Sequence, residues 1–254
     1  MRSRRLLTFD VHETLWSFYP SPWAIYQQAA TAHGLSVSLQ VLQSSFITSY
    51  KRASFQFPNF GAQNSILARD WWMEVVKTTF LRSGIPFDRL DLVLEPLFKD
   101  IYRRFTLPES FRVFDDVFST LQTLKTHRTD LSLGIISNSD ARTRQVLESL
   151  DLARFFDFVL YVCIFTHVFC RTSHEEKVAK PDSKIFKKAL DLSGVSAFEA
   201  MHVGEHLTND YYGAREAGWT PFLLQRDSKA AGSLEIPKSS ILTDLSQLLD
   251  RIPP

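Results

Sequence analysis

Leu7-Thr8-Phe9-Asp10-Val11-His12-Glu13-Thr14-Leu15 decides the fold class. The aliphatic run Arg5–Phe9 has strand character and ends on a carboxylate, at the kind of sheet edge where open α/β proteins bind ligands. Alone, Asp10 reads equally well as a turn residue. Further aliphatic and β-branched runs at 131–137, 158–160, 201–203 and 221–224, with helix-like patterns between the later ones, predict a parallel sheet covered by crossover helices. The expected fold is therefore α/β, a three-layer sandwich with a Rossmann-like sheet.

About 120 residues separate the first two runs, far more than one crossover needs. Within them, 24–33, 39–53, 66–83 and 90–105 carry apolar residues at spacings of three and four. Gly34, Phe57-Pro58-Asn59-Phe60-Gly61 and Gly84-Ile85-Pro86 punctuate them as helix ends or turns. A four-helix domain inserted at 16–115 follows, with 1–15 and 116–254 forming the sheet-bearing core. Trp71, Trp72, Val75, Val76 and Phe80 read as a packed helix face rather than a cofactor-stacking box.

Composition narrows the function. With 29 Lys+Arg against 28 Asp+Glu, neither nucleic acid nor an anionic membrane is an expected partner. The two cysteines, Cys163 and Cys170, supply neither a disulfide framework nor a four-thiolate zinc site. The basic Met1–Arg5 stretch runs directly into a strand rather than a signal-peptide apolar region, and the longest apolar stretch is too short to span a bilayer. The expectation is a cytoplasmic protein acting on a small molecule, with nucleus and mitochondrion also compatible and oligomeric state left open.

Three later motifs join Asp10. Gly134-Ile135-Ile136-Ser137-Asn138 puts a hydroxyl and an amide at the end of the second strand, although Ser-Asn is also an ordinary turn sequence. In Lys180-Pro181-Asp182 the lysine is either a solvated charge or the counter-ion of a carboxylate and a phosphoryl group. Gly204-Glu205-His206-Leu207-Thr208-Asn209-Asp210 places two carboxylates after a strand and a glycine, as hard-metal chemistry requires.

In this order, Asp-x-x-x-Thr, Ser-Asn, Lys-Pro-Asp and Gly-acid-x-x-x-x-Asp, the chain resembles the haloacid dehalogenase (HAD) superfamily over nearly its whole length. The helical insertion then resembles a cap domain in the position called C1. The resemblance implies a hydrolase, a Mg²⁺-dependent phosphatase of a small phosphorylated metabolite. Asp10 would be the nucleophile that forms an aspartyl-phosphate. Thr14, Ser137 and Asn138 would contact substrate, Lys180 would neutralise charge, and Asp10, Glu205 and Asp210 would hold the metal. A cation and a lysine offset the repulsion between two approaching anions.

Three departures from the family pattern stand out. Phosphatases of the superfamily carry a second Asp two residues after the nucleophile, as general acid and base; here it is His12. An imidazole exchanges protons near neutral pH and can serve both steps. The alternatives are a leaving group that needs no proton, as in the superfamily's dehalogenases, or a catalytically impaired binding or regulatory protein. Glu205 stands where Asp is usual, which opens Mn²⁺ or zinc as alternatives to Mg²⁺. Eleven extra residues from Tyr161 to Arg171 follow the third strand and contain both cysteines. They read as a substrate-facing hairpin or, preferred because the stretch is an aggregation liability, as a splice variant or retained intron.

Overall fold

The computed structural model describes residues 5–161, 178–226 and 236–252. Strand β1 (Arg5–Phe9) is followed by a turn and a short strand, β2 (Trp16–Phe18). Helices α1 (Pro22–Ala32), α2 (Leu39–Gln56), α3 (Ala68–Arg82), α4 (Phe87–Asp91) and α5 (Leu94–Arg104) come next. Strand β3 (Phe111–Val113) returns the chain by pairing antiparallel with β2. The remainder runs α6 (Val117–His127), β4 (Leu131–Ser137), α7 (Arg142–Ser149), β5 (Phe158–Tyr161), α8 (Ser183–Ser193), β6 (Ala200–Gly204), α9 (Gly213–Glu216), β7 (Thr220–Leu224), β8 (Ile241–Leu242) and α10 (Leu248–Arg251).

Six strands form one parallel sheet in the order β5-β4-β1-β6-β7-β8. The α/β expectation holds, and all five anticipated runs are strands. β1 lies between β4 and β6, with Phe9 level with Ile135 and Val203. Strand order therefore reverses at β1, which opens a crevice at its C-terminal end. Side chains alternate: Leu7, Phe9, Ile135 and Val203 enter one core, while Leu6, Ile136 and Ala200 pack on the other face with Ile185 and Phe186 of α8. Burial on both faces explains why the central strands read as continuous apolar runs.

The helices between β2 and β3 have a core of their own around Tyr26, Leu42, Val76, Phe80, Leu97 and Phe98. The expected four helices are five among the described residues, because the fourth is two: α4 ends at Asp91 and α5 begins at Leu94. Pro96 is the cause. It has no N–H for the Leu92 carbonyl and its ring would collide with that oxygen, so it fits only the first turn of a new helix. Trp71, Val75, Val76 and Phe80 are buried as expected, whereas Trp72 is half-buried and faces a cavity.

Beyond Tyr161, the extra segment and both cysteines lie outside the described residues. Among those described, no helix is long and apolar enough to cross a membrane. Gly134 in β4 lies beneath the Phe158 ring of β5, and a methyl group on it would overlap that ring. Gly134→Ala should therefore cost about 1–3 kcal/mol in urea denaturation, with Phe158→Leu recovering part of the loss; an unchanged midpoint would contradict this packing.

Candidate active site

The crevice at the end of β1 is a cleft of about 440 Å³ whose lining includes Asp10, His12, Ser137, Asn138, Lys180, Glu205 and Asp210. These side chains come from four separate places in the sequence. The Asp10 amide donates to the Val203 carbonyl at 2.8 Å, which extends the ladder to β6 by one residue and fixes the carboxylate at the sheet edge.

Lys180 is the centre of the site. Its Nζ donates to Asp10 Oδ1 at 2.7 Å and to Asp210 Oδ1 at 2.5 Å, with all three residues buried. Burial opposes the ammonium charge, but the Asp10 and Asp210 carboxylates outweigh it and raise the lysine above its ordinary value. Asp210 is the mirror case: burial opposes its charge, and Lys180 and His202 more than compensate, holding the carboxyl well below the usual range. Three further contacts place this trio. Asn138 Oδ1 accepts from the Lys180 amide at 2.8 Å and its Nδ2 donates to the Lys180 carbonyl at 2.7 Å. The His206 amide donates to Asp210 Oδ2 at 2.9 Å. Gly204 leaves the space the Asp210 carboxylate fills, which a Cβ would occupy.

His202, to which the sequence reading gave no role, completes the arrangement. Its ring is fully buried in β6, edge-on to Phe186, with Nε2 3.1 Å from Asp210 Oδ1 and Nδ1 2.8 Å from Thr8 Oγ1. An ionised carboxylate only accepts, so Nε2 carries the proton of the neutral ring and Nδ1 faces the Thr8 hydroxyl, which also lies 3.3 Å from the Met201 carbonyl. Burial lowers its basicity, in keeping with this neutral form. A polar side chain within an otherwise apolar strand was the signal that could have found it.

The remaining expected residues divide. Ser137 is buried and lines the cleft. Thr14 does not reach it. The amides of Thr14, Leu15 and Trp16 all point at the Val11 carbonyl, and Glu13 adopts a left-handed φ of 54°. This tight turn buries Thr14, whose Oγ1 has no partner and whose carbonyl accepts from Arg226 Nη2 at 2.8 Å. The His12 ring leans on Phe18 of β2 at 4.7 Å. Its Nε2 is shielded from solvent and, among the described residues, without a hydrogen bond, 3.6 Å from Glu13 Oε1. The His206 ring accepts from the Thr208 and Asn209 amides at 3.2 Å each, which caps the short helix Leu207–Tyr212.

Among the described residues no three His, Cys, Asp or Glu are gathered as a ready-made metal cage. Mg²⁺ does not require one, since it commonly takes one or two carboxylates together with waters and substrate oxygens. Desolvation first, then the carboxylates of Asp210, Asp10 and Glu13, push Glu205 up to about 7, with Lys180 pulling the other way. The cleft thus holds more negative charge than its lysine balances. The oxygen donors fit a hard cation better than zinc, because the His206 ring is engaged in capping and the His12 ring rests on Phe18.

Two measurements follow from this electrostatics. Glu205 has a folded value of about 7 against an ordinary 4.5, so the folded chain retains a proton there that the unfolded chain has lost. Its cost to stability is absent below 4.5 and develops as pH rises through that window. Without added metal, Glu205→Gln should melt above the natural protein at about pH 8 and level with it at about pH 4; equal melting at both values would contradict the charge surplus. Lys180→Met, which strands two buried carboxylates, should lose about 3–5 kcal/mol of stability at neutral pH, read from denaturant midpoints.

A family profile described as "Hydrolase: haloacid dehalogenase-like hydrolase" matches residues 5–218. Human "Haloacid dehalogenase-like hydrolase domain-containing protein 3" is 34% identical over 254 residues, covering 96% of this chain and 92% of that protein. Two solved structures share the fold. A 2-haloacid dehalogenase from Pseudomonas syringae pv. Tomato DC3000 has a TM-score of 0.66 at 23% identity over 98% of each chain. The putative HAD-hydrolase YfnB from Bacillus subtilis, bound to magnesium, has a TM-score of 0.70 at 16% identity over 99% of each chain. The strand order, the lysine between the Asp10 and Asp210 carboxylates and these matches lead to one conclusion: the chain belongs to the haloacid dehalogenase-like hydrolase family.

Proposed function

We propose that the protein is a Mg²⁺-dependent phosphatase of a small phosphorylated metabolite, with Asp10 as nucleophile. The observation that carries this reading is Lys180 Nζ, 2.7 Å from Asp10 Oδ1 and 2.5 Å from Asp210 Oδ1 in a buried site. Lys180 occupies Oδ1 and leaves Oδ2 of Asp10 to attack phosphorus. As the Oδ2–P bond forms, the bond from phosphorus to the leaving oxygen breaks, and that oxygen keeps the electron pair and takes a proton from His12 Nε2. Water then attacks the aspartyl-phosphate, gives its proton to His12 and releases inorganic phosphate, which restores Asp10.

Ser137 donates its hydroxyl proton to a phosphoryl oxygen, and Asn138 holds the Lys180 backbone in place. When bound, Mg²⁺ supplies positive charge to the phosphoryl oxygens, with Asp10, Glu205, Asp210 and the His12 carbonyl as the groups that would hold it; the YfnB relative bound to magnesium supports that choice. Residues 16–115 act as a cap over a core of 1–15 and 116–254, with the β2–β3 ribbon as the hinge.

One observation favours a second reading: the His12 ring rests on Phe18 and stands where phosphatases of the family have Asp, as suits a binding protein or a hydrolase with an unprotonated leaving group. Hydrolysis of 4-nitrophenyl phosphate with Mg²⁺ separates the two. The phosphatase reading expects activity in the natural protein and background in Asp10→Asn. It also expects His12→Ala to slow alkyl phosphates by about 10²–10⁴-fold, and the nitrophenyl ester, whose leaving group needs little protonation, by far less. If the natural protein and Asp10→Asn are equally inert while His12→Asp hydrolyses the ester, the binding reading prevails.

A further inference from the structure

The cleft does not end at His12. A second chamber of about 610 Å³ lies beyond it, between the insertion helices, the β2–β3 ribbon and the start of α7. Val11, His12, Tyr50, Phe60, Asn138 and Ser139 line both spaces, so a group leaving phosphorus past His12 enters this chamber. Trp23, Tyr26, Phe46, Trp72, Phe98 and Phe105 give it an aromatic wall. Size and lining are those of a small-molecule site rather than a packing defect.

Its arginine is already paired. Arg142 Nη2 donates to Asp140 Oδ2 at 2.6 Å, and Trp72 Nε1 donates to the same oxygen at 2.7 Å. The guanidinium lies 4.2 Å over the Tyr102 ring and 5.0 Å over Trp72. No other lysine or arginine lines the chamber among the described residues, which leaves no unpaired cation for a second anionic group on the substrate. His12 Nε2, at the junction of the two spaces, is shielded and, among the described residues, without a hydrogen bond, with Glu13 Oε1 3.6 Å away. A buried polar atom of this kind is normally partnered, and a ligand oxygen at the junction would supply the partner.

Resting on the phosphatase reading above, the geometry points to a substrate class: phosphate monoesters of neutral alcohols with a bulky apolar body. That body sits against the aromatic wall, and the ester oxygen lies at His12 Nε2. Small polar or doubly anionic phosphates forgo the chamber's apolar surface and meet no free counter-ion among the described residues.

The test uses the full chain with saturating Mg²⁺ and three esters of primary alcohols of similar acidity: ethyl, 2-phenylethyl and 2-(1-naphthyl)ethyl phosphate. Burial of the larger group should raise kcat/KM by about thirtyfold or more from first to last. Ser21→Trp narrows the chamber at a residue whose side chain makes no capping bond. It should remove that gain, read as the ratio of kcat/KM for the naphthyl ester to that for ethyl phosphate. Independently of turnover, 2-(1-naphthyl)ethanol should perturb the fluorescence of Trp16, Trp23 and Trp72, which line the chamber, and Ser21→Trp should abolish the binding. Asp10-dependent hydrolysis with a flat series, or with a preference for anionic esters, overturns the substrate class and leaves the phosphatase reading intact. Binding of the alcohol without Asp10-dependent hydrolysis of any ester supports the chamber's ligand class and overturns the phosphatase reading. Absence of both overturns the inference.

Discussion

A lysine held between two carboxylates in a buried crevice is the constraint on which the site depends. Taking three charges out of water is costly, and their attraction compensates only if geometry is maintained and the remaining hydrogen-bonding capacity is filled. Each neighbour of Lys180 meets part of that demand. Asn138 grips its backbone at both the amide and the carbonyl, His202 and the His206 amide take up lone pairs of Asp210, and Gly204 leaves room for that carboxylate. The sheet contributes the register: β1 between β4 and β6 brings Asp10, Ser137 and Gly204 to one edge.

The surplus of negative charge around Glu205 is the complement of this balance. Desolvation first, then the Asp210, Asp10 and Glu13 carboxylates, hold the Glu205 proton to about 7, and Lys180 opposes them only in part. A folded structure that keeps such a group gives up stability as pH rises toward that value, and a hard cation is the kind of group that would offset the charge without any preassembled cage.

Most of the architecture was legible in one dimension, because parallel strands buried on both faces leave continuous apolar runs and helices leave spacings of three and four. The same reading missed the break between α4 and α5, although Pro96 was in plain view, because the apolar periodicity runs straight through it. Thr14 was misplaced for a different reason. Its motif is intact, but hydrogen bonds converging on the Val11 carbonyl fold it beneath the chain and toward Arg226. His202 was overlooked because its partners, Thr8 and Asp210, are distant in sequence or across a turn.

The sequence by itself determined the sheet, the helical insertion and the order of chemical groups, since each is encoded by local pattern and by residues at strand ends. Only the tertiary structure decided what those groups touch. The Lys180 contacts link residues 170 and 30 positions apart. The aromatic chamber joins helices of the insertion to the turn after β1 and the start of α7. Coulomb attraction and cavity shape depend on distance in space, and neither is carried by spacing along the chain.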